Sequence, residues 1–239
     1  MDNISVKIVL WLKEQVEKSG AKGLVFGLSG GIDSACVGVL CQKAFKDNCL
    51  GLIMPCESHI DDEDMAFLIA NKFSIPVKKV SLDESFKKLL EVLPASENNI
   101  VRANLKPRLR MLTLYYYAAN YGYLVCGCSN KTEIALGYYT KYGDGGADIL
   151  PLGGLLKTQV RQLAKELSIP AEIIARRPSA GLMPNQFDED EMGLLYDEAD
   201  SILKAIESNN TTDIDRRKLN KVMNMISNSQ HKRDPIPTP

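Results

Sequence analysis

Three observations predict an α/β fold, with a parallel sheet flanked by helices on both faces. Short apolar runs alternate with longer stretches of helical periodicity. The first apolar run feeds the glycine-rich loop Gly27-Leu28-Ser29-Gly30-Gly31, which opens a helix. A second strand end, at Cys128-Ser129-Asn130, carries polar residues too, and ligands in such sheets bind beyond the carboxyl ends of the strands.

Taken in order, segment 4–18 carries Ile4, Ile8, Leu12 and Val16 as a helical stripe and is ended by Gly20 and Gly23. Leu24 to Leu28 reads as a buried strand, and Ala35 to Phe45 as a helix with Val37, Val39, Leu40 and Ala44 as its apolar positions. Leu50 to Pro55 is the second strand. Asp61 to Phe73 is a helix whose acidic first turn suits the positive end of the helix dipole. Ile75 to Val80 is the third strand, Ser81 to Leu93 and Asn104 to Ala119 are helices, and Tyr123 to Gly127 is the fourth strand. After residue 137 the character changes. Gly137 to Gly154 is glycine-rich and strand-poor, Leu156 to Leu167 is helical, Ala175 to Asp188 is a loop, and Glu189 to Leu203 is helical. A polar stretch, Ser208 to Asp213, precedes a last helix near 215–226. There is no internal repeat. The expectation is a single domain, with a parallel core over 1–136 and a loop-rich, helical part over 137–239. The two polar strand ends share one crevice if strands one and four are neighbours.

The 239 residues suffice for one large α/β domain or two small ones. Twenty-nine basic and 30 acidic side chains leave a formal net charge of -1, so nothing global attracts nucleic acid or an acidic membrane. No apolar run approaches the roughly 18 residues of a membrane span. Met1-Asp2-Asn3-Ile4 lacks the basic start and apolar stretch of a secretory leader, which predicts a cytoplasmic location. None of the six cysteines forms a Cys-x-x-Cys pair, and most sit within apolar patterns, as buried free thiols do.

The stretch Gly27-Leu28-Ser29-Gly30-Gly31-Ile32-Asp33-Ser34 carries the most chemistry. Glycine lets backbone N–H groups approach an anion, and the helix start adds orphan donors and a positive dipole end. The Gly-Lys-Ser/Thr ending of a Walker A loop is missing, and an acid, Asp33, stands in the loop instead. A carboxylate beside a phosphate cradle repels the phosphates unless a cation lies between them, so Asp33 points to Mg2+. The bland alternative is a glycine turn with Ser or Asp capping a helix.

Ser29-Gly30-Gly31-x-Asp33-Ser34 resembles the PP-loop of ATP pyrophosphatases, which cut ATP between the α- and β-phosphates. Further blocks resemble the ammonia-dependent NAD synthetases: 104–111 around Arg108, 127–133 ending at Glu133, Tyr142-Gly143-Asp144-Gly145-Gly146-Ala147-Asp148, 151–158 with Lys157, and His231-Lys232-Arg233. The resemblance implies a Rossmann-like, PP-loop fold of the adenine nucleotide alpha hydrolase type. It also implies amidation of deamido-NAD (nicotinic acid adenine dinucleotide) to NAD with ATP and ammonia, through an acyl-adenylate.

Carried onto this chain, the resemblance gives Gly27, Leu28, Ser29, Gly30, Gly31, Ile32, Asp33 and Ser34 to ATP, with Asp33 and Glu133 as Mg2+ ligands. Lys157 touches the phosphates and Ser179 lies near ATP. At Cys128 the family often has threonine, so a contact with ATP there falls to a weaker hydrogen-bond partner or to the backbone. Arg108, Arg110, Lys141, Asp148, His231 and Lys232 form the deamido-NAD side. Arg108 and Arg110 lie two apart and do not share a helix face, so they serve different groups, with Arg108 ranked first. No stretch is long enough for a fused amidase, and His59 and His231 are the only histidines, which points to free ammonia or to ammonia from a separate protein. The resemblance further implies a homodimer, weakly supported by Leu112, Leu114, Tyr115, Tyr116 and Tyr117, which make their helix apolar on more than one face. Two rivals remain: a tRNA-thiolating PP-loop enzyme using Cys56 and Cys128, and a nucleotide-binding sensor. Paired acids at 33 and 133 argue for chemistry over passive binding.

Overall fold

Four short strands and twelve α-helices make up the computed structural model, which describes residues 4–183 and 186–239. Helix α1 (Ile4–Ser19) leads into β1 (Gly23–Gly27) and α2 (Ile32–Phe45). Strand β2 (Cys49–Ile53), α3 (Ile60–Phe73), β3 (Val77–Lys79) and α4 (Asp83–Val92) follow. Then come α5 (Asn99–Ala103), α6 (Leu105–Tyr121), β4 (Tyr123–Val125) and α7 (Lys131–Leu136). The rest is α8 (Lys157–Glu166), α9 (Ala171–Ala175), α10 (Asp188–Met192), α11 (Tyr196–Glu207) and α12 (Arg216–Asn228). Residues 1–3 of the stretch read as lacking a secretory leader, and residues 184 and 185 of the predicted 175–188 loop, lie outside the described residues.

The strands are all parallel in the order β3-β2-β1-β4. Strand β1 pairs with β4 in the register Gly23–Tyr123, Leu24–Leu124, Val25–Val125. The neighbouring of strands one and four therefore holds. Chain order runs to one side of β1 through β2 and β3 and returns on its other side at β4, so the crevice at their carboxyl ends is a topological switch point.

Side chains alternate across the sheet, as strand geometry requires. Leu24, Phe26, Cys49 and Ile53 point into a core shared with α1, α2, α8 and α9; Val25, Leu50 and Leu52 point into a second core with Phe86 and the α6 residues Leu109, Leu114 and Tyr117. Helices thus cover both faces. Phe26 is fully buried at the centre of β1. Its ring needs the glycines at 38 and 51, where a Cβ would come within 3.1 and 3.2 Å of it. A third apolar cluster joins Leu136 and Leu156 to Met192, Leu194, Tyr196, Ala199 and Val222 on α10, α11 and α12.

Three helices escape the sequence reading, α5, α7 and α9, because five or six residues are too short to show a 3.6 period. The helix expected over 189–203 is two helices. Gly193 closes α10 at φ +55°, a left-handed conformation suited to glycine, and α11 then runs on to Glu207. The glycine-rich stretch after 137 is built of tight turns, with one parallel bridge, Cys126 to Ile149, that widens the sheet edge.

Phe26→Ala removes the ring that both sheet and α2 close around. It is expected to lower unfolding free energy by about 3–5 kcal/mol, read from the urea midpoint at constant slope.

Candidate active site

The loop after β1 is braced from within. Ser34 Oγ donates to the Gly31 carbonyl (2.9 Å), lies 3.0 Å from Ser29 Oγ, and accepts from the Ser29 amide (3.2 Å). The first bond of the α2 ladder runs from the Ala35 amide to the Gly31 carbonyl (3.0 Å), which leaves the amides of Ile32, Asp33 and Ser34 without an intrahelical acceptor. The two glycines differ in purpose. Gly30 has φ +80°, and a Cβ on it would strike the Asp62 carbonyl oxygen at 2.4 Å, so it is glycine to pack under α3. A Cβ on Gly31 would meet only Ser29 Oγ, at 3.4 Å. Gly31 lines the crevice, whereas Gly30 does not.

Three charges meet at the mouth of this loop. Lys157 Nζ lies 2.5 Å from Asp33 Oδ2 and 3.1 Å from Glu133 Oε1. Asp33 is in the first turn of α2, Glu133 in the first turn of α7 and Lys157 at the first residue of α8. The lysine side chain is only 2% exposed, and its ammonium sits 4.8 Å from the centre of the Tyr196 ring. Asn130 holds the acids in register: its Nδ2 donates to Asp33 Oδ1 (2.9 Å), and its Oδ1 accepts from the Glu133 amide (3.0 Å) as the N-cap of α7. Glu133 returns the bond by accepting from the Asn130 amide (3.2 Å).

Burial pushes the Glu133 carboxyl up to about 7; Lys157 pulls it back and Asp33 adds to the rise. Burial works against the Lys157 charge, but Asp33 and Glu133 outweigh it and hold the ammonium above the ordinary lysine value. Behind the triad, Tyr196 Oη donates to Asp188 Oδ2 (2.9 Å).

The crevice has a volume of about 340 Å³. Of the residues expected around ATP, Gly27, Leu28, Ser29, Gly31, Ile32, Asp33, Ser34, Cys128, Glu133, Lys157 and Ser179 line it. Cys128 Sγ lies 3.7 Å from the Gly27 carbonyl oxygen, its hydrogen-bond acceptor. One wall is apolar, formed by Leu52, Met54, Met111, Leu114 and Val125.

Arg108 and Arg110 diverge as their spacing requires. Arg110 reaches into the crevice, donating from Nε to the Met54 carbonyl (3.1 Å) and from a guanidinium nitrogen to Ser58 Oγ (3.1 Å). Burial pulls its pKa below the usual arginine value. Arg108 is exposed outside the crevice, with Nε and a guanidinium nitrogen each 3.4 Å from the Lys141 carbonyl oxygen. Lys141 Nζ in turn donates to the His231 carbonyl. Lys232 Nζ donates to the Gly137 and Tyr139 carbonyls, 2.6 Å each, and so straps the chain's last turns to the 137–141 loop. Arg108, Lys141, His231 and Lys232 therefore form one outer group. Asp148 stands apart from them, accepting from the Val125 amide (2.7 Å) and from Tyr115 Oη (3.0 Å) at the β4 edge.

Several lining residues carried no signal in the sequence. Arg176, held to Asp62 at 2.6 Å, Arg177, Tyr138 and Asp188 come from segments without a motif. Asn130, which braces both acids without lining the crevice, had one, as the residue three before Glu133 in a capping-box pattern.

A parallel sheet whose switch point carries a PP-loop, an acid within that loop, and a second acid and lysine across the crevice is a PP-loop α/β protein of the ATP pyrophosphatase kind. The NAD synthase family model matches residues 4–236, and the chain belongs to that family. It is similar to the NH(3)-dependent NAD(+) synthetase of Finegoldia magna, 47% identical over 93% of this chain and 90% of that one. Among solved structures it is similar to the NMN synthetase of Francisella tularensis, at 36% identity and TM-score 0.92, covering 99% of this chain and 97% of that one. The NH3-dependent NAD synthetase of Campylobacter jejuni follows at 30% identity and TM-score 0.86, covering 100% of this chain and 99% of that one.

The tRNA-thiolating alternative is not favoured by this membership, and the thiols agree. Burial raises both Cys56 and Cys128 above the ordinary thiol value, whereas a nucleophilic cysteine needs the reverse. All six cysteines are free, and only Cys128 is not fully buried. In the native protein a disulfide reagent at neutral pH is expected to titrate fewer than one thiol per chain within minutes, against all six in denaturant, followed by absorbance.

Proposed function

We propose that this chain makes NAD by ATP-dependent amidation of deamido-NAD with ammonia, releasing AMP and pyrophosphate. The observation that carries the reading is the convergence of Asp33, Glu133 and Lys157 on the PP-loop in a chain of the NAD synthase family. The curated relatives named for ammonia-dependent synthesis support it over nearly their whole length.

The chemistry follows from leaving groups. The pyridine carboxylate is a poor acyl electrophile. Its oxygen attacks the α-phosphate of ATP, a C–O–P link forms, and pyrophosphate departs with the electron pair. Ammonia then adds to the acyl carbon and AMP leaves, the surplus proton passing to AMP or water. Charge grows on the pyrophosphate in the first step, so the fixed amides at Ile32–Ser34, the hydroxyls of Ser29 and Ser34, and the Lys157 ammonium act where stabilisation counts most. The apolar lining of Leu52, Met54, Met111, Leu114 and Val125 suits the adenine, and Ser179 and Cys128 line the same crevice.

Magnesium fits the donor set. Among the described residues no cluster of three or more His, Cys, Asp or Glu side chains could hold a metal alone. Two carboxylates that already converge on one cation suit Mg2+, which takes its other oxygens from substrate phosphates and water. Asp33 and Glu133 would hold it, and when bound it supplies neutralising charge at the phosphates.

Arg110 serves the crevice, and the outer group of Arg108, Lys141 and His231 serves the deamido-NAD side. Lys232 and Asp148 shape that side by holding the 137–141 loop and the β4 edge. A homodimer is supported by Leu112 and Tyr116, one turn apart on α6 and 63% and 68% exposed. The free thiols suit a reducing, cytoplasmic location. No helix among the described residues is long and apolar enough to cross a membrane.

The test supplies ATP, Mg2+ and ammonium with deamido-NAD, with the deamidated mononucleotide, or with neither. The mononucleotide arm is included because the Francisella structure is of an NMN synthetase. AMP and NAD are expected to form together only with deamido-NAD, by chromatography; ATP turnover indifferent to it ends the reading. Glutamine in place of ammonium is expected to give no NAD. Asp33→Asn is expected to fold normally by circular dichroism and to lose about 10²–10³-fold in kcat, as loss of a single charge-stabilising group does; wild-type rates in that variant would remove Asp33 from the reacting centre.

A further inference from the structure

Helix α11 lies behind the triad and lines no part of the crevice, yet two of its residues, Tyr196 and Asp200, face the triad's scaffold one turn apart. Asp200 is 1% exposed, and each of its carboxylate oxygens is committed. Oδ1 accepts from Thr132 Oγ1 at 2.5 Å, and Oδ2 accepts from the Thr158 amide at 2.8 Å. Thr132 is itself fully buried, and its Oγ1 accepts from the Lys157 amide at 3.0 Å.

The first two amides of α8 are thus satisfied from outside the helix. Its own N-cap residue, Leu156, makes no side-chain cap. Thr132, the bridge, precedes Glu133, and Lys157 is the first residue of α8. The Asp200–Thr132 pair therefore fixes the backbone from which the Lys157 side chain starts, and ties it to the residue beside Glu133. A lysine has a long flexible stem, and the reach of its ammonium to both Asp33 and Glu133 depends on where that stem begins.

We propose that Asp200, acting through Thr132, is a positioning residue for pyrophosphate departure: it sets Lys157 opposite Asp33 and Glu133 without touching substrate. The idea rests on the ammonia-dependent reading above. An ordinary packing role for Asp200 predicts a stability loss alone.

Asp200→Asn is near-isosteric. One amide oxygen can still accept from Thr158, but its NH2 then faces a threonine oxygen already accepting from Lys157, and the Thr132 hydroxyl loses its acceptor. Kinetics of NAD formation and thermal melts are measured for the wild type, Asp200→Asn, Thr132→Val and Thr132→Ser, and for Asp200→Asn in a Lys157→Ala background. For folded Asp200→Asn and Thr132→Val, kcat is expected to fall about 10- to 100-fold, as small misplacements do. The KM for deamido-NAD should stay within about twofold, and Thr132→Ser should restore kcat. In the Lys157→Ala background Asp200→Asn should cost less than about twofold, because the group it positions is gone.

Melting temperatures that fall while kcat holds in Thr132→Val overturn the proposal, as does a full, independent loss in the double variant. Should Asp200→Asn fail to fold, the Thr132→Val and Thr132→Ser pair decides. A wild type that forms no NAD defeats the functional reading and takes the positioning role with it. A productive wild type with unaffected variants defeats the positioning role alone.

Discussion

The ammonium of Lys157, held between Asp33 and Glu133, is the contact on which the rest of the molecule converges. It joins three helix starts, α2, α7 and α8, that are far apart in the chain. With Lys157 2% exposed and the two acids 17% and 16% exposed, none of these charges is well hydrated. Such a set persists only when every member has partners, and removing one partner of a buried pair costs about 3–5 kcal/mol. The partners are all present: Asn130 on Asp33, the α7 cap on Glu133, and the Tyr196 ring beside Lys157. Under the proposed function the arrangement also puts a cation where leaving-group charge would grow, so the charges that satisfy one another here are those the proposed chemistry would use.

The sheet supplies the place. Placing β4 beside β1 brings the loop after β4 next to the PP-loop, and the adjacent cores on the two faces of β1 fix the height of both. The C-terminal helices then close the back of the site. Tyr138 and Tyr196 both donate to Asp188, and the third apolar cluster ties α7 and the start of α8 to α10, α11 and α12. The C-terminal part thus sets the geometry of a site whose loop is in the N-terminal part. The outer group built on Arg108, Lys141 and His231 lies beyond the crevice, so under the proposed function the two ends of a long dinucleotide would fall to different layers of the structure.

Much of this is legible in the amino-acid sequence. Alternating apolar runs and helical stripes predict the sheet, because period 2 and period 3.6 record which face is buried. Residues 29–34 declare an anion loop because glycine and a helix start have few other joint uses, and the remaining blocks name the family by resemblance. Short helices such as α5 and α9 left no trace, since one turn holds too few residues to show a period. Only the tertiary fold decides which charges share a site. The spacing of Arg108 and Arg110 puts them on different faces of their helix, but only the fold decides that Arg110 enters the crevice while Arg108 takes the exposed outer position. Lys232, assigned by resemblance to the deamido-NAD side, is bound to backbone carbonyls. Asp200 has no motif at all and is found only because burial forces its carboxylate to take partners from two other helices. Local pattern reports what each segment buries; long-range pairing of charges and caps is fixed by packing, which no single segment encodes.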